Sequence, residues 1–311
     1  MSSMTPSKRR CVESPFKVLV FGGGGFVGRA TCRALFKDGC VPIVADLEQP
    51  EGTWEYYRVD VSSQDAVYSV IEEVRPDGVV NLAYHLADAC ESNLDRAFRV
   101  NVVGSQNVME SCSVLGVARL VYASSIAVYG SQSTFGNREV AETDQGTPVR
   151  LYGWHKILQD QIAAEYYRRG LSVVGLRMST VYGPERRDGL SAAVNELIYP
   201  NSRLNEVCVP WGEEEEFSLI HVDDVAESIV AILKAEDLVW SVVNSGGETT
   251  TIGALIGSLR SLRPQLRIKT PRQPQTLAHC SRINWERLRL ILGHERISLS
   301  DRQRIAVLNG G

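Results

Sequence analysis

The chain has 311 residues, of which 44% are hydrophobic and 23% are charged, and its net charge is −4 at pH 7. Such values are typical of a globular protein, they give no basic surface for nucleic acid, and no apolar run approaches the ~20 residues that span a bilayer. The seven cysteines are scattered, with neither a Cys-x-x-Cys pair nor a histidine at ligand spacing, so we expect no metal site and a cytoplasmic location.

Residues 1–15 are polar and are predicted to form a flexible tail. After them, apolar runs alternate with helix-like stretches. The predicted strands are FKVLVF (16–21), VPIVAD (41–46), YYRVD (56–60), DGVVNLA (77–83), RLVYASS (119–125) and LSVVGLR (171–177). The predicted helices lie near 26–38, 63–74, 92–115 and 150–169. Buried β-branched strands that alternate with helices indicate an α/β fold with a doubly wound parallel sheet.

A glycine-rich loop, FGGGGFVG, follows the first predicted strand and leads into the first helix. Its glycines fit both a G-x-G-x-x-G spacing and the G-x-x-G-x-x-G spacing of Gly22, Gly25 and Gly28. Glycines at these places allow a tight turn and a close approach of a pyrophosphate to the backbone, and the helix N-terminus attracts the anion. The loop therefore predicts dinucleotide binding.

Two acidic residues follow strands of the same predicted domain. Asp46 ends the second strand, 18 residues beyond Gly28, where a carboxylate accepts hydrogen bonds from the adenosine ribose and repels a 2′-phosphate. Leu47 and Glu48 come next, with no basic residue, so we expect NAD rather than NADP. Asp60 could accept a hydrogen bond from the adenine amino group or could be a strand-end turn residue.

The stretch LYGWHK places Tyr152 and Lys156 four residues apart. On a helix this spacing puts both side chains on one face, about one turn apart. A phenol beside an ammonium is either a catalytic pair or a coincidence of a surface helix, and the spacing alone leaves both open.

In chain order, these motifs resemble the extended short-chain dehydrogenase/reductase family, the NAD-dependent epimerase/dehydratase group. The resemblance covers residues 16 to about 310. It is carried by FGGGGFVG, VDV, VVNLA, VNVVGSQNV, YASSIAVYG, YGWHK, LRMSTVYGP and IHVDDVA. It implies a Rossmann-type NAD-binding domain over 16–177, to which segments near 218–245 return. It also implies a smaller C-terminal α/β substrate-binding domain formed by 178–217 and 246–311.

The resemblance also implies a catalytic set of Ser125, Tyr152 and Lys156. A phenol with a pKa near 10 is a poor base at neutral pH, and a nearby ammonium favours the phenolate while it holds the nicotinamide ribose. The implied cofactor contacts are Gly22, Gly25, Phe26, Val27, Gly28, Asp46, Asp60, Val61, Leu82, Ala83, Asn101, Tyr152 and Lys156. The implied substrate contacts are Tyr84, His85, Ser124, Ser125, Thr180 and Arg186.

Several residues depart from the patterns of nucleotide-sugar enzymes in this family. Ile126 follows Ser125 where 4,6-dehydratases carry an acid, and Thr180 and Phe217 stand near positions that hold Asn and Arg in many epimerases. The four glutamates 213–216, interpreted as a solvated loop, would repel a diphosphate. These departures favour a smaller or less anionic substrate, whose anionic group Arg186 or Arg187 could bind.

Three functional hypotheses follow. The first is an NAD-dependent oxidoreductase that interconverts a secondary alcohol and a carbonyl on a sugar-like or polyoxygenated small molecule, with Tyr152 as general base and acid. The second is a nucleotide-sugar epimerase that uses tightly bound NAD without net redox change. The third is a non-enzymatic NAD-sensing protein.

The family's assembly implies a homodimer formed by the helices near 92–115 and 150–169. Both predicted helices carry more apolar residues than one sheet-facing side needs. These residues are Phe98, Val102, Val108, Met109, Val114, Ile157, Ile162, Ala163 and Tyr166.

Overall fold

The computed structural model describes residues 15–186, 191–200, 206–236, 238–271, 273–274 and 278–308. The strands are β1 (Lys17–Phe21), β2 (Val41–Asp46), β3 (Glu55–Arg58), β4 (Gly78–Asn81), β5 (Arg119–Ser125), β6 (Val173–Met178), β7 (Thr180–Tyr182), β8 (Glu206–Cys208), β9 (Glu216–His221), β10 (Val242–Asn244), β11 (Glu248–Thr251) and β12 (Arg267–Lys269). The helices are α1 (Phe26–Lys37), α2 (Gln64–Val74), α3 (Ala87–Ser92), α4 (Leu94–Phe98), α5 (Ser105–Val114), α6 (Leu151–Arg168), α7 (Ser191–Ile198), α8 (Val222–Lys234), α9 (Ile252–Leu262), α10 (Glu286–Leu292) and α11 (Leu299–Leu308).

A parallel sheet in the order β10-β6-β5-β4-β1-β2-β3 forms the centre of the described chain. Its strands are buried on both faces. Within β1, Val18 and Val20 pack with α1 and α8, whereas Leu19 and Phe21 pack with α2, α5 and α6. The structure therefore confirms the α/β class and the Rossmann-type doubly wound sheet.

The direction of winding reverses between β1 and β4, which are neighbours in the sheet although β2 and β3 separate them in sequence. In open parallel sheets, ligands bind at the carboxyl edge at this reversal. The glycine-rich loop after β1 and the segment 82–86 after β4 both begin there.

The later segments divide between two layers. Strand β10 pairs with β6 and α8 packs on α1, so these parts of the segment 218–245 join the central layer, whereas its first residues lie in β9 of the second sheet. A three-stranded sheet, β11-β9-β7, packs with α7, α9 and α11 around the buried Trp211 and Phe217. This second core corresponds to the proposed substrate-binding domain, whose exact limits stay an interpretation.

The predicted helix near 92–115 is interrupted. It consists of α4, a π-helical segment (Arg99–Gly104) and α5. A π-helical turn inserts an extra residue and is frequent at functional sites. Here the turn carries Asn101, whose side chain is fully buried against the segment after β4.

Two further sequence interpretations differ from the structure. Glu216 is not in a solvated loop: it begins β9 and accepts hydrogen bonds from Ser281 and Arg282. The apolar residues of the two helices mostly face the core, because Val102, Val108, Met109, Ala163 and Tyr166 are buried. Among those predicted to be surplus, Phe98 and Val114 are exposed.

Two predictions fall on residues outside the described ones. The tail falls almost wholly on residues 1–14, and Arg187 lies beyond the described segment that ends at 186. Within the described residues, no helix is long and apolar enough to cross a membrane, and no group of three acidic, His or Cys side chains could hold a metal ion.

Candidate functional site

The glycine-rich loop passes tightly between β1 and the segment after β4. Gly22 has a φ of +74°, and a Cβ there would lie 2.7 Å from the Ala83 nitrogen. A Cβ at Gly28 would lie 2.2 Å from the Gly22 oxygen, so this spacing of glycines lets α1 begin directly against the loop. Gly25 is the N-cap of α1 and offers no capping side chain, which leaves backbone N–H groups of the first turn for an anion.

A cleft of about 470 Å³ opens beside this loop. It is lined by the loop, by 45–50 after β2, by 59–61 after β3 and by 82–85 after β4. Asp46 links the glycine-rich loop to the segment after β2. Its Oδ2 accepts a hydrogen bond from the Gly24 N–H at 3.0 Å, and its Oδ1 accepts one from the Leu47 N–H at 2.7 Å. The structure thus brings the predicted residues Gly22, Gly25, Asp46, Asp60, Val61, Leu82, Ala83, Tyr84 and His85 to one cleft.

Asp60 lies across the cleft and is tied to Arg96, a residue that the sequence analysis missed. The Arg96 Nη2 donates to Asp60 Oδ2 at 2.9 Å, and the Ser62 hydroxyl and N–H donate to Oδ1 at 2.7 and 2.9 Å. Burial opposes ionisation of Asp60, but these hydrogen bonds outweigh it and lower its pKa. Arg96 stands in α4, and no motif in the sequence distinguishes it from a surface arginine.

The proposed catalytic hydroxyls lie where β5 ends and α6 begins. Ser125 closes β5, and its hydroxyl is near enough to the phenol of Tyr152, in the first turn of α6, to affect the pKa of that phenol. Burial raises the pKa of Tyr152 to about 12, while the Ser125 hydroxyl and the charge of Arg186 act in the opposite direction. Ser125 Oγ also accepts from the Ala127 N–H at 3.2 Å, which fixes the orientation of the serine side chain.

Lys156 lies one helical turn further along α6 and is almost fully buried. Its ammonium donates to the Ala123 carbonyl oxygen and, at 3.1 Å, to Oε1 of Gln159. Burial holds the pKa of Lys156 well below its usual range, and the charge of Asp160 opposes that shift. Gln159 is a second residue that the sequence analysis missed, because no known motif marks a residue three places after the lysine.

The segment after β4 closes the cleft toward Lys156. The ring centroid of Tyr84 lies 3.2 Å from Lys156 Nζ and 5.5 Å from the Tyr152 ring centroid. The segment is held in place by Asn101, whose Oδ1 accepts from the His85 N–H at 2.8 Å and whose Nδ2 donates to the His85 oxygen at 3.1 Å. The Tyr84 hydroxyl and the Ser124 hydroxyl are buried without a hydrogen-bond partner.

The other predicted contacts lie beside the cleft rather than in its lining. Phe26 begins α1, and the guanidinium of Arg186 stacks over its ring at 5.2 Å. Val27 packs under the loop with the apolar side of α1. Thr180 begins β7 opposite Leu219.

These residues fit NAD on structural grounds. The N–H groups in the first turn of α1 have no partner within the helix and could bind a pyrophosphate, Asp46 offers carboxylate lone pairs at the expected ribose position, and the partnerless hydroxyl of Ser124 lies at the catalytic end. When bound, NAD supplies a nicotinamide ring that accepts or returns a hydride.

Comparisons with known proteins identify the family. The model of the NAD dependent epimerase/dehydratase family matches residues 18–246. An ADP-L-glycero-D-manno-heptose-6-epimerase of Pseudomonas aeruginosa is 34% identical over 226 residues, which are 67% of this chain and 67% of that protein.

Solved structures show the same fold. The UDP-glucose 4-epimerase of Thermus thermophilus, in complex with NAD, has a TM-score of 0.80 at 24% identity, over 95% of this chain and 99% of that one. The L-threonine dehydrogenase of Phytophthora infestans has a TM-score of 0.86 at 20% identity, over 94% of this chain and 99% of that one. On the family match and the 34% identical relative, the chain belongs to the NAD-dependent epimerase/dehydratase family of extended short-chain dehydrogenases/reductases and is an enzyme with NAD as its cofactor.

Proposed function

We propose that this enzyme interconverts a secondary alcohol and a carbonyl on a sugar-like or polyoxygenated small molecule, with net transfer of a hydride to or from NAD. The observation that carries the proposal is the placement of Ser125 at the end of β5 beside Tyr152, with Lys156 one turn further along α6, next to a dinucleotide cleft. Family membership in a group of enzymes sets aside the non-enzymatic sensor.

Each residue of the set has a separate task. The Tyr152 Oη takes the proton of the substrate hydroxyl as the carbinol hydride leaves, and gives the proton back in the reverse direction. The Ser125 hydroxyl donates a hydrogen bond to the substrate oxygen, and the Lys156 ammonium holds the nicotinamide ribose. Full burial of Lys156 and partial burial of Tyr152 limit the access of water, which strengthens these charge interactions.

A nucleotide-sugar epimerase is the second candidate. It is supported by the relative at 34% identity, which is named as an epimerase of an ADP-linked heptose. It is also supported by Glu216, because Arg282 lies 3.0 Å from its carboxylate and offsets its charge. The repulsion of a diphosphate that the sequence suggested is thereby weaker, although Glu213 and Glu214 remain exposed.

One assay separates the two candidates. The enzyme is incubated with NAD and a panel of aldonic and uronic acids, hydroxy amino acids and nucleotide sugars. Accumulation of NADH in proportion to substrate consumed supports the dehydrogenase. A sugar epimer formed without NADH accumulation supports the epimerase and contradicts the net redox proposal.

The tyrosine is tested by Tyr152→Phe. This variant loses the group that transfers the proton and little ground-state binding, so turnover should fall ~10²-fold or more while the Kd for NAD stays nearly unchanged. Tyr167→Phe, on the same helix, is the matched control and should retain wild-type turnover. Wild-type turnover in Tyr152→Phe would remove Tyr152 from the mechanism.

We also propose a cytoplasmic location for this reaction. Its support is the free state of six cysteines in the described residues, five of them buried.

A further inference from the structure

The surroundings of Lys156 contain one partner that differs from the others. A lysine ammonium has three N–H donors and no acceptor. In this structure its neighbours are the Ala123 carbonyl oxygen, the Gln159 side-chain oxygen and the face of the Tyr84 ring. The ammonium that should hold the nicotinamide ribose therefore already has a partner for each donor.

The two oxygen partners are part of the rigid framework. Ala123 belongs to β5, within the central sheet. The Gln159 side chain is also held at its amide nitrogen, because Nε2 donates to Ser105 Oγ at 2.8 Å. That hydroxyl in turn donates to the backbone carbonyl oxygen of Asn101 at 2.7 Å. Neither oxygen lies in the lining of the dinucleotide cleft.

Tyr84 has the opposite properties. It stands in the segment after β4, and it is the partner of Lys156 that also lines the cleft. Its hydroxyl has no hydrogen-bond partner, so contacts of the ring, with Lys156 and edge-to-face with Tyr152, hold the side chain in place. The attraction between a desolvated cation and an aromatic face is substantial, yet it is non-directional. The ammonium can therefore exchange this contact for hydrogen bonds to hydroxyl oxygens.

We propose that Tyr84 is a positioning residue that holds the Lys156 ammonium in the cofactor-free protein and yields it to the ribose hydroxyls of NAD. The inference rests on the proposed contact between Lys156 and the ribose. A contact that must be given up reduces the apparent affinity for NAD, by the same free energy that it contributes to the free protein. The contact with the Tyr84 ring also keeps the ammonium at its catalytic position while no cofactor is bound.

The proposal predicts the sign of a binding change. Tyr84→Leu removes the aromatic face and keeps an apolar side chain, so NAD should bind about 5-fold to 30-fold more tightly, measured by calorimetry. Tyr84→Phe is the matched control: it keeps the face and loses a hydroxyl that has no partner, so its Kd should stay within about 2-fold of wild type. Weaker or unchanged binding of NAD by Tyr84→Leu overturns the proposal. Weaker binding would mean that the ring contributes to NAD binding, and unchanged binding would mean that the ring has no influence on it.

A double-variant cycle shows whether the effect passes through the lysine. In a Lys156→Met background there is no ammonium to release, so Tyr84→Leu should leave the Kd for NAD unchanged. An equal tightening in that background would mean that the ring only obstructs the cleft, and would overturn the positioning role. Lys156→Met alone tests the underlying function separately: if NAD binds it as well as wild type, the contact between Lys156 and the ribose is wrong. Should Tyr84→Leu fail to fold, Tyr84→Met, which also lacks an aromatic face, replaces it.

Discussion

Each carboxylate oxygen of Asp46 accepts one backbone hydrogen bond at the edge of the cleft, from the Gly24 and Leu47 N–H groups, and keeps a second lone pair for a ribose hydroxyl. The carboxylate therefore keeps its place whether or not a cofactor is present. Glu48 lines the same edge and adds a second negative charge, whereas Arg96 across the cleft is paired with Asp60. The electrostatics of this edge oppose a 2′-phosphate.

We predict from this arrangement that NAD binds at least ~10-fold more tightly than NADP, because a phosphate placed beside a carboxylate costs upwards of ~1.4 kcal/mol. Calorimetric titration of the two cofactors under identical salt conditions measures the ratio. Equal affinities, or tighter binding of NADP, would contradict the role given to Asp46.

Tyr152 gives the reaction a pH dependence. The group must be deprotonated to accept the alcohol proton, and burial raises its pKa to about 12, so the fraction in the basic form grows with pH throughout the neutral range. We predict that kcat/KM for alcohol oxidation at saturating NAD rises from about pH 7 to about pH 9 without a plateau. The residual rate of Tyr152→Phe should lack this slope. A flat wild-type profile over that range would show that another group takes the proton.

The sequence could predict those site residues that a fixed spacing or a strand end marks. Asp46 follows from its distance to the glycine loop; the helical period puts Tyr152 and Lys156 on one face, and the family resemblance identifies them as the expected catalytic pair. Tyr84 was predicted as a substrate contact, but its place over Lys156 arises from segments 72 residues apart in sequence. The pairing of Arg96 with Asp60 and of Gln159 with Lys156 likewise depends on packing, which no local pattern encodes.

At the level of elements, one face of α6 carries both the proposed catalytic residues and the residue that attaches the helix to the central sheet. Tyr152, Lys156 and Asp160 follow one another at intervals of four residues. Asp160 Oδ2 accepts from Arg177 Nε at 3.0 Å, and its Oδ1 accepts from the Tyr122 hydroxyl at 2.9 Å. The helix is thereby fastened to β5 and β6 directly behind the catalytic residues.

Asp160→Ala should be strongly destabilising. The arginine and aspartate side chains of this pair are only 12% and 7% exposed, so the variant leaves a buried guanidinium without its counter-charge. We expect a loss of about 3–5 kcal/mol in the free energy of unfolding, measured by chemical denaturation. Glu165→Ala, which removes exposed ion pairs with Arg168 and Arg169 at the end of the same helix, should change it by less than about 0.5 kcal/mol. Similar values for the two variants would show that the buried pair does not anchor α6.

The central elements could be predicted because their strands are buried on both faces and form continuous apolar runs. The predicted limits of β1, β2 and β5 lie within a residue of the observed ones. The short strands β7, β8, β11 and β12 carry no such run, since they have three or four residues and partly exposed sides. Their pairing is determined by tertiary contacts, so the sequence pattern does not predict the individual strands of the second domain.

For the whole molecule, the outer surface of α4 and α6 is the feature that bears on assembly. Leu94, Phe98, Trp154 and Leu158 are all exposed on these helices, and the Phe98 ring contacts the His155 ring edge-on, with the ring centroids 5.9 Å apart, so α4 lies against α6. Leu94, Trp154 and Leu158 are not among the residues expected from the sequence, yet Leu94 lies in the first and the other two lie in the second of the helical segments that the family's assembly implies. Contiguous apolar surfaces of this kind mark interaction sites.

We propose that two copies of the chain pair through this surface in a homodimer that buries upwards of ~1,200 Å² in total. Sedimentation of the wild type at micromolar concentration should give about twice the 34.3 kDa mass of one chain. Leu158→Glu places a charge at the centre of the surface and should shift the protein to the monomer, because burying an unpaired carboxylate costs several kcal/mol. Leu290→Glu, at an exposed leucine of α10, is the matched control and should remain dimeric. A wild type that sediments at 34.3 kDa would contradict the homodimer, and with it the expectation that a second subunit stabilises the helix that carries Tyr152 and Lys156. A Leu158→Glu variant that stays dimeric would show that the interface lies elsewhere on the chain.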